Sequence, residues 1–352
     1  MCYNDMKKYG LTDAIAKEAA EYDGLYLGRI LSQSKDIYRV VTEKGEFFAE
    51  ISGKYRFQIR NNRDYPAVGD FVMLDRDSGK NGKGIIHHVL SRKSAFIRKA
   101  AGKSVEDQLV ATNIDTTFIC MSVNNDFNLR RLERYLVLVW EGGSTPVVVL
   151  TKVDLCDDIS SKFRAVDSVG NGVDIFGISA VTKEGFEDVI SYFTHGKTVA
   201  LLGSSGVGKS TLINWLTGHE MLETQEIRND DKGRHTTTRR ELILLPNGGM
   251  IVDTPGMREL GIWDAESGLD KTFSDVEAYF EKCRFRDCTH TKEPDCAIYT
   301  AIKDGALSKK RWNSYLKLKT EDDYSENRSD YIKKKNEKFK NISKINKSKN
   351  YK

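Results

Sequence analysis

Apolar and polar positions along the chain fall into three successive regimes. Between residues 25 and 99, short apolar stretches at 25–31, 37–41, 47–51, 71–74 and 85–90 alternate with Gly, Asn, Asp and Ser clusters such as 77–82. Strands recurring at spacings of about ten residues predict a small closed all-β barrel, and an OB-type barrel is the commonest nucleic-acid-binding version. The pattern then changes to continuous apolar runs at 146–150, 198–202 and 250–252, each ended by polar residues, the second followed by a helical pattern at 211–216. Such runs predict buried strands of an α/β core. A helical stretch around 271–281 opens the third regime, which continues as a polar loop rich in Cys and His, a basic helix and a Lys-rich tail.

The residues that end the apolar runs carry the chemistry. Gly203, Ser204, Ser205, Gly206, Val207, Gly208, Lys209 and Ser210 fit the phosphate-loop pattern between a strand and a helix that continues with Thr211. Glycines let backbone N–H groups approach phosphates and the helix dipole favours the anion. Lys209 can reach the β/γ-phosphates, and the Ser210 hydroxyl can ligate Mg²⁺. Such a loop does not distinguish ATP from GTP. Thr151, Lys152, Val153 and Asp154 end another buried run, where ligands of open α/β sheets bind. Guanine presents adjacent N1–H and N2–H donors to one carboxylate and adenine does not, so Asp154 is the candidate acceptor, with the Lys152 stem over the base. A polar site left unpaired by the wrong base rejects it.

Ser179 and Ala180 end the strand-like segment 173–178, and in GTPases this pair supports the base through backbone N–H groups. Asp253 ends 250–252 as a candidate Mg²⁺ ligand, with Gly256 meeting the γ-phosphate. Between the phosphate loop and Asp253, 233–238 can supply a switch threonine to Mg²⁺; Thr237 is the candidate, and the sequence does not separate it from Thr236 and Thr238. An ordinary GTPase runs phosphate loop, switch threonine, Asp-x-x-Gly, base reader, Ser-Ala. Here the base reader and Ser-Ala come first, which makes the set a circular permutation. Met257 follows Gly256 where many GTPases place a water-orienting glutamine. Slow intrinsic hydrolysis is therefore expected, with rate supplied when a partner docks. His235 is the candidate water-orienting group, because a neutral imidazole can hydrogen-bond water.

Cys283, Cys288, His290 and Cys296 crowd into one polar loop. Four Cys/His ligands at short spacing suit a closed, structural tetrahedral Zn²⁺ site. An odd local cysteine count and no secretory segment argue against a disulfide. Charge is informative by segment: the chain nets +4, yet residues 331–352 hold nine lysines against one glutamate, so the remainder is net acidic. Such a tail is expected to be disordered and attracted to polyanions. Lys54, Arg56, Arg60, Arg63, Arg92, Lys93 and Arg98, with Tyr55, Phe57 and Phe96 among them, are candidates for a basic and aromatic RNA surface. Lys309, Lys310, Arg311 and Trp312, then Tyr315 and Lys317, form a second such candidate. No apolar run approaches the roughly eighteen residues of a membrane span, and the first residues lack a signal-peptide core. A cytoplasmic protein without membrane partners is expected.

The expected architecture is multidomain: an extension (1–22), an OB-type barrel (23–100), an α/β P-loop GTPase core in permuted order (101–268), a helical zinc-binding domain (269–320) and the basic tail (321–352). Barrel, permuted core and zinc cluster together resemble the family of ribosome small subunit-dependent GTPases A, over nearly the whole chain to about residue 319. Val68, Gly69 and Asp70, the stretch 108–115, the phosphate loop, 233–238 and the zinc spacing carry the resemblance, and Thr151 falls within the family's Asn-or-Thr choice. The resemblance implies a GTPase that binds the small (30S) ribosomal subunit late in its assembly, and a monomer is expected because that partner is far larger than the chain. The resemblance further implies contact with 16S rRNA, other assembly factors as further partners, and departure after GTP hydrolysis. A nucleotide-dependent kinase or ATPase, and a permuted GTPase acting on the large subunit or another RNA, are the alternatives.

Overall fold

The five apolar stretches of the N-terminal region become five strands that close on themselves. In the computed structural model, which describes residues 4–99, 107–124, 126–218, 240–253, 265–291 and 293–326, two short helices come first, α1 (Asn4–Lys8) and α2 (Asp13–Ala19). The barrel strands are β1 (Tyr26–Ser34), β2 (Ile37–Thr42), β3 (Gly45–Ile51), β4 (Phe71–Leu74) and β5 (Gly84–Val89), with α3 (Gly53–Gln58) between β3 and β4. They pair in the order β1-β2-β3-β5-β4, and β4 returns to β1. All pairs are antiparallel except β3 with β5, the arrangement of an OB-type barrel. Period-two patterning drives it: in β3, Phe47, Ala49 and Ile51 point inward to Ile30, Val40, Val72 and Ile86, while Glu46, Phe48 and Glu50 face water. Met6, Ile15 and Ala19 of the leading helices cover a second apolar cluster with Leu27, Phe71 and Met73.

A hairpin of β6 (Ala95–Lys99) and β7 (Asp107–Thr112) leads into the α/β core. The core holds β8 (Thr116–Ser122), α4 (Leu129–Glu141), β9 (Thr145–Thr151), α5 (Ile159–Gly170), β10 (Ile175–Ile178), α6 (Phe186–Ile190), β11 (Thr198–Leu202), α7 (Lys209–Thr217), β12 (Arg240–Leu244) and β13 (Met250–Asp253). The sheet order is β10-β9-β8-β11-β13-β12, all parallel except β12. Strands β8 and β11 are buried along their whole length, as doubly covered parallel strands should be. The permuted order needs only a short join, residues 191–197, from α6 into β11, anchored by buried Phe193. On its outer edge β12 pairs with β1, so barrel and core share one eleven-stranded sheet.

The chain divides between Gly261 and Ile262 into two compact units. The second contains α8 (Glu266–Thr272), α9 (Ser274–Glu277), a 3-10 turn (Phe280–Lys282), α10 (Ala297–Lys303) and α11 (Lys309–Glu326). The single helix expected around 271–281 is broken at Phe273, which is fully buried with φ −114° and ψ 27°. Burying that ring overrides helical continuity. Trp312 and Tyr315 are likewise buried, stacked on each other at 5.5 Å. Arg311 donates to the Thr272 carbonyl and the Asp275 carboxylate. Arg311, Trp312 and Tyr315 are thus core, and of the candidate residues on this helix Lys309, Lys310 and Lys317 are exposed. Among the described residues no helix is long and apolar enough to cross a membrane.

Candidate nucleotide and metal sites

Gly203 opens the phosphate loop where β11 ends beside its parallel neighbour β8. A Cβ there would lie 2.3 Å from the Cys120 carbonyl oxygen, so only glycine fits. Gly206 and Gly208 have φ +73° and +104°, and Gly208 caps α7, whose first turn carries Lys209, Ser210 and Thr211. The Lys209 ammonium donates to the carbonyl oxygens of Gly203 (2.7 Å) and Ser204 (2.5 Å). The loop is thereby closed around its own cation, with the helix N-terminus presenting backbone donors to an anion.

Two side-chain bonds join the base-reading residues to this loop and to each other. Thr151, buried at the end of β9, donates its Oγ1 hydrogen to the Val207 carbonyl at 2.6 Å. Ile178 of β10 is the register partner of Thr151, so the two following loops leave the sheet at one level. Lys152 turns the chain with φ +60°, Val153 opens a 3-10 turn, and the Asp154 carboxylate accepts the Ser179 hydroxyl at 2.6 Å. The Ser179 oxygen in turn accepts the N–H groups of Val181 and Thr182, which folds the turn containing Ala180. The carboxylate is thus held by a buried partner. Asp253 ends β13, the parallel neighbour of β11, whose own end leads into the phosphate loop. His235, Thr236, Thr237, Thr238, Gly256 and Met257, like the tail from 327 onward, lie outside the described residues.

In the second unit, ligand atoms of Cys283, Cys288, His290 and Cys296 all lie within 4.8 Å of one another. Four such ligands on one tetrahedral ion would stand roughly 3.3–3.8 Å apart, so a small contraction accommodates a metal. His290 Nδ1 faces the sulfurs of Cys283 (3.5 Å) and Cys296 (3.6 Å). The Phe280 ring stacks on the imidazole at 4.5 Å and fixes its plane. Burial pulls the imidazole pKa below its ordinary value, which keeps the neutral, coordinating form. Left-handed backbone at His290 and Asp295 bends the loop around the site.

Of the barrel's candidate RNA side chains, several have other work. Phe96 is buried, Arg92 grips the buried Asp70 carboxylate with two bonds, and Lys93 pairs with Asp115. Phe57 is 92% exposed beside Lys54, Arg56 and Arg60, and these remain at the surface. Sequence reasoning did not find the junction between barrel and core, although the stretches that carried the family resemblance form it. A Cβ on Gly69 would meet the Thr112 carbonyl at 2.2 Å. Asp70 accepts Thr112 Oγ1 at 2.6 Å, and Asn113 Nδ2 donates to the Gly69 carbonyl at 3.0 Å.

The family model described as RsgA GTPase matches residues 89–263. A protein of Lactiplantibacillus plantarum named small ribosomal subunit biogenesis GTPase RsgA 2 is 47% identical over 318 residues, 90% of this chain and 89% of its own length. A Listeria innocua protein named small ribosomal subunit biogenesis GTPase RsgA 1 is 45% identical over 317 residues, with the same shares of 90% and 89%. Among solved structures, YjeQ from Thermotoga maritima superposes with a TM-score of 0.60 at 27% identity, covering 84% of this chain and 97% of that one. YloQ, described as a circularly permuted GTPase, gives 0.60 at 28% identity over 85% of this chain and 95% of its own.

Proposed function

The chain belongs to the RsgA GTPase family, and from that membership we propose that it hydrolyses GTP in the cytoplasm while bound to the small (30S) ribosomal subunit. It assists late maturation of that subunit, contacts its 16S rRNA as a monomer, and is stimulated by it. The observation that supports the reading is the Asp154–Ser179 bond, which fixes a carboxylate three residues after Thr151, itself bonded to the phosphate loop at the Val207 carbonyl. Guanine recognition needs that acceptor.

In this reading the loop from Gly203 to Ser210 cradles the phosphates, and Lys209 holds their charge from its seat on the Gly203 and Ser204 carbonyls. Ser210, Asp253 and Thr237 would hold Mg²⁺, which supplies charge neutralisation at the phosphates when bound. His235 orients the attacking water. The cysteine and histidine cluster holds one structural Zn²⁺.

The test is GTP turnover with and without purified small subunits, with ATP as competitor. We expect turnover to rise many-fold with small subunits and ATP to compete poorly. Absence of stimulation, or equal stimulation by large subunits, sinks the small-subunit assignment. Effective ATP competition sinks the role of Asp154.

A further inference from the structure

Strand β12 has a neighbour on each side, and the two serve different ends of the molecule. Its register pairs Glu241 with Asp253 of β13 and the same Glu241 with Ser32 of barrel strand β1. One residue therefore stands between the candidate Mg²⁺ ligand and the barrel. The Glu241 carboxylate is ion-paired with Arg39 of β2, and the other arm of that guanidinium reaches Glu46 of β3 at 3.2 Å. The line from Asp253 thus crosses β12 into three consecutive barrel strands.

A second tie lies three residues back along β1. Arg29, 1% exposed, donates to Met250 Sδ (3.3 Å) at the start of β13 and to Thr198 Oγ1 (3.0 Å) at the start of β11. Strand β1 is consequently fixed to β13 at both ends, by Arg29 to Met250 and through Glu241 from Ser32 to Asp253. Packed elements braced in this way switch between discrete arrangements instead of deforming gradually.

We propose that β12 transmits the nucleotide state to the barrel, with the Arg39–Glu241 contact setting how strongly the barrel's hold on its RNA partner depends on that state. This rests on the GTPase reading above and adds its route of regulation. A backbone change at Asp253 moves Glu241, and Glu241 moves β1 through the ladder and β2 through Arg39. Coupling of this kind is reciprocal: nucleotide alters partner affinity by the factor by which partner alters nucleotide affinity.

The test measures small-subunit affinity with GDP and with a non-hydrolysable GTP analogue, for the wild type, Arg39→Ala, Glu241→Ala and the double variant. Both side chains are about one-third exposed, 31% and 39%. Each single variant is therefore expected to shrink the affinity ratio by only about two- to fivefold. The double variant should lose no more than Arg39→Ala alone, because that change already removes the Arg39–Glu241 contact together with the Glu46 one. GTP affinity without subunits should not change. An unchanged ratio in both single variants, or additive losses in the double, overturns the inference. A wild type stimulated by subunits whose affinity ignores the nucleotide overturns it too, and leaves the GTPase reading intact. A wild type with no stimulation overturns both.

Discussion

At the scale of single residues, buried polar groups define what the barrel and core can do independently. The Arg29 guanidinium is buried without a direct carboxylate partner among the described residues, and it satisfies the Gly69, Tyr9 and Asn113 carbonyls as well as Thr198 Oγ1. Burial pulls its pKa down to about 10, while Asp115 and Asp70 oppose the shift. Its donors all have acceptors, so the residue is tolerated; removing it strands the Tyr9 and Asn113 carbonyls and Thr198 Oγ1, while the Gly69 carbonyl keeps Asn113 Nδ2. Arg29→Ala should cost about 3–5 kcal/mol, since each orphaned buried group costs about 1–3 kcal/mol. Urea unfolding checks this, and a loss under 1 kcal/mol would show that water replaces the side chain. His235 makes a different kind of claim, because its role exists only in the transition state. His235→Ala should abolish subunit-stimulated turnover with GTP affinity unchanged; retained stimulation removes it from the mechanism.

At the scale of elements, the phosphate loop, base-reading strand and barrel strands were legible because each follows from local pattern: period-two alternation, buried runs, and glycines at fixed offsets. The junction was not, since Asp70 with Arg92 and Thr112 joins residues 22 and 42 apart, and only the fold brings them together. The break at Phe273 was hidden for the same reason, as a tertiary demand on one ring. The second unit offers two element-level checks. If its cluster is a structural zinc site, metal analysis finds one Zn²⁺ per chain, and Cys296→Ser loses it and lowers the unfolding temperature of this unit. A chain that is metal-free and equally stable contradicts the site. The other check is pH. Glu277 of α9 is pushed up to about 7 by burial and by Asp270, against an ordinary 4.5. The folded state therefore holds the proton more tightly, so this stabilisation is complete at low pH and lost as pH rises through about 7. Relative to Glu277→Gln, the wild type should weaken between pH 5 and 8 by about 1 kcal/mol, discounted for solvent screening of a partly exposed group. Parallel stability curves for the two proteins would rule this out.

At the scale of the whole molecule, the permuted order acquires a mechanical meaning. The strand that ends at Asp253 lies one strand away from the barrel in a continuous sheet. The chain then runs from Asp253 into the unit that carries the metal cluster. Charge is distributed to match: 331–352 holds nine lysines and one glutamate, and without it the net charge changes sign from +4. An acidic body approaching an RNA surface is repelled, and a short lysine-rich segment reverses that at long range where screening is weak. Deleting 331–352 should therefore weaken small-subunit binding steeply at low salt and little at high salt. On a plot of log affinity against log salt, the slope should fall by several units, as expected when about that many lysine–phosphate contacts and their released counterions are lost. GTP affinity should stay the same, because none of the candidate nucleotide residues lies in this segment. A truncated chain with the full-length slope would mean that the lysines never meet phosphate, and that the remaining basic side chains, Lys54, Arg56 and Arg60 among them, carry the electrostatics alone.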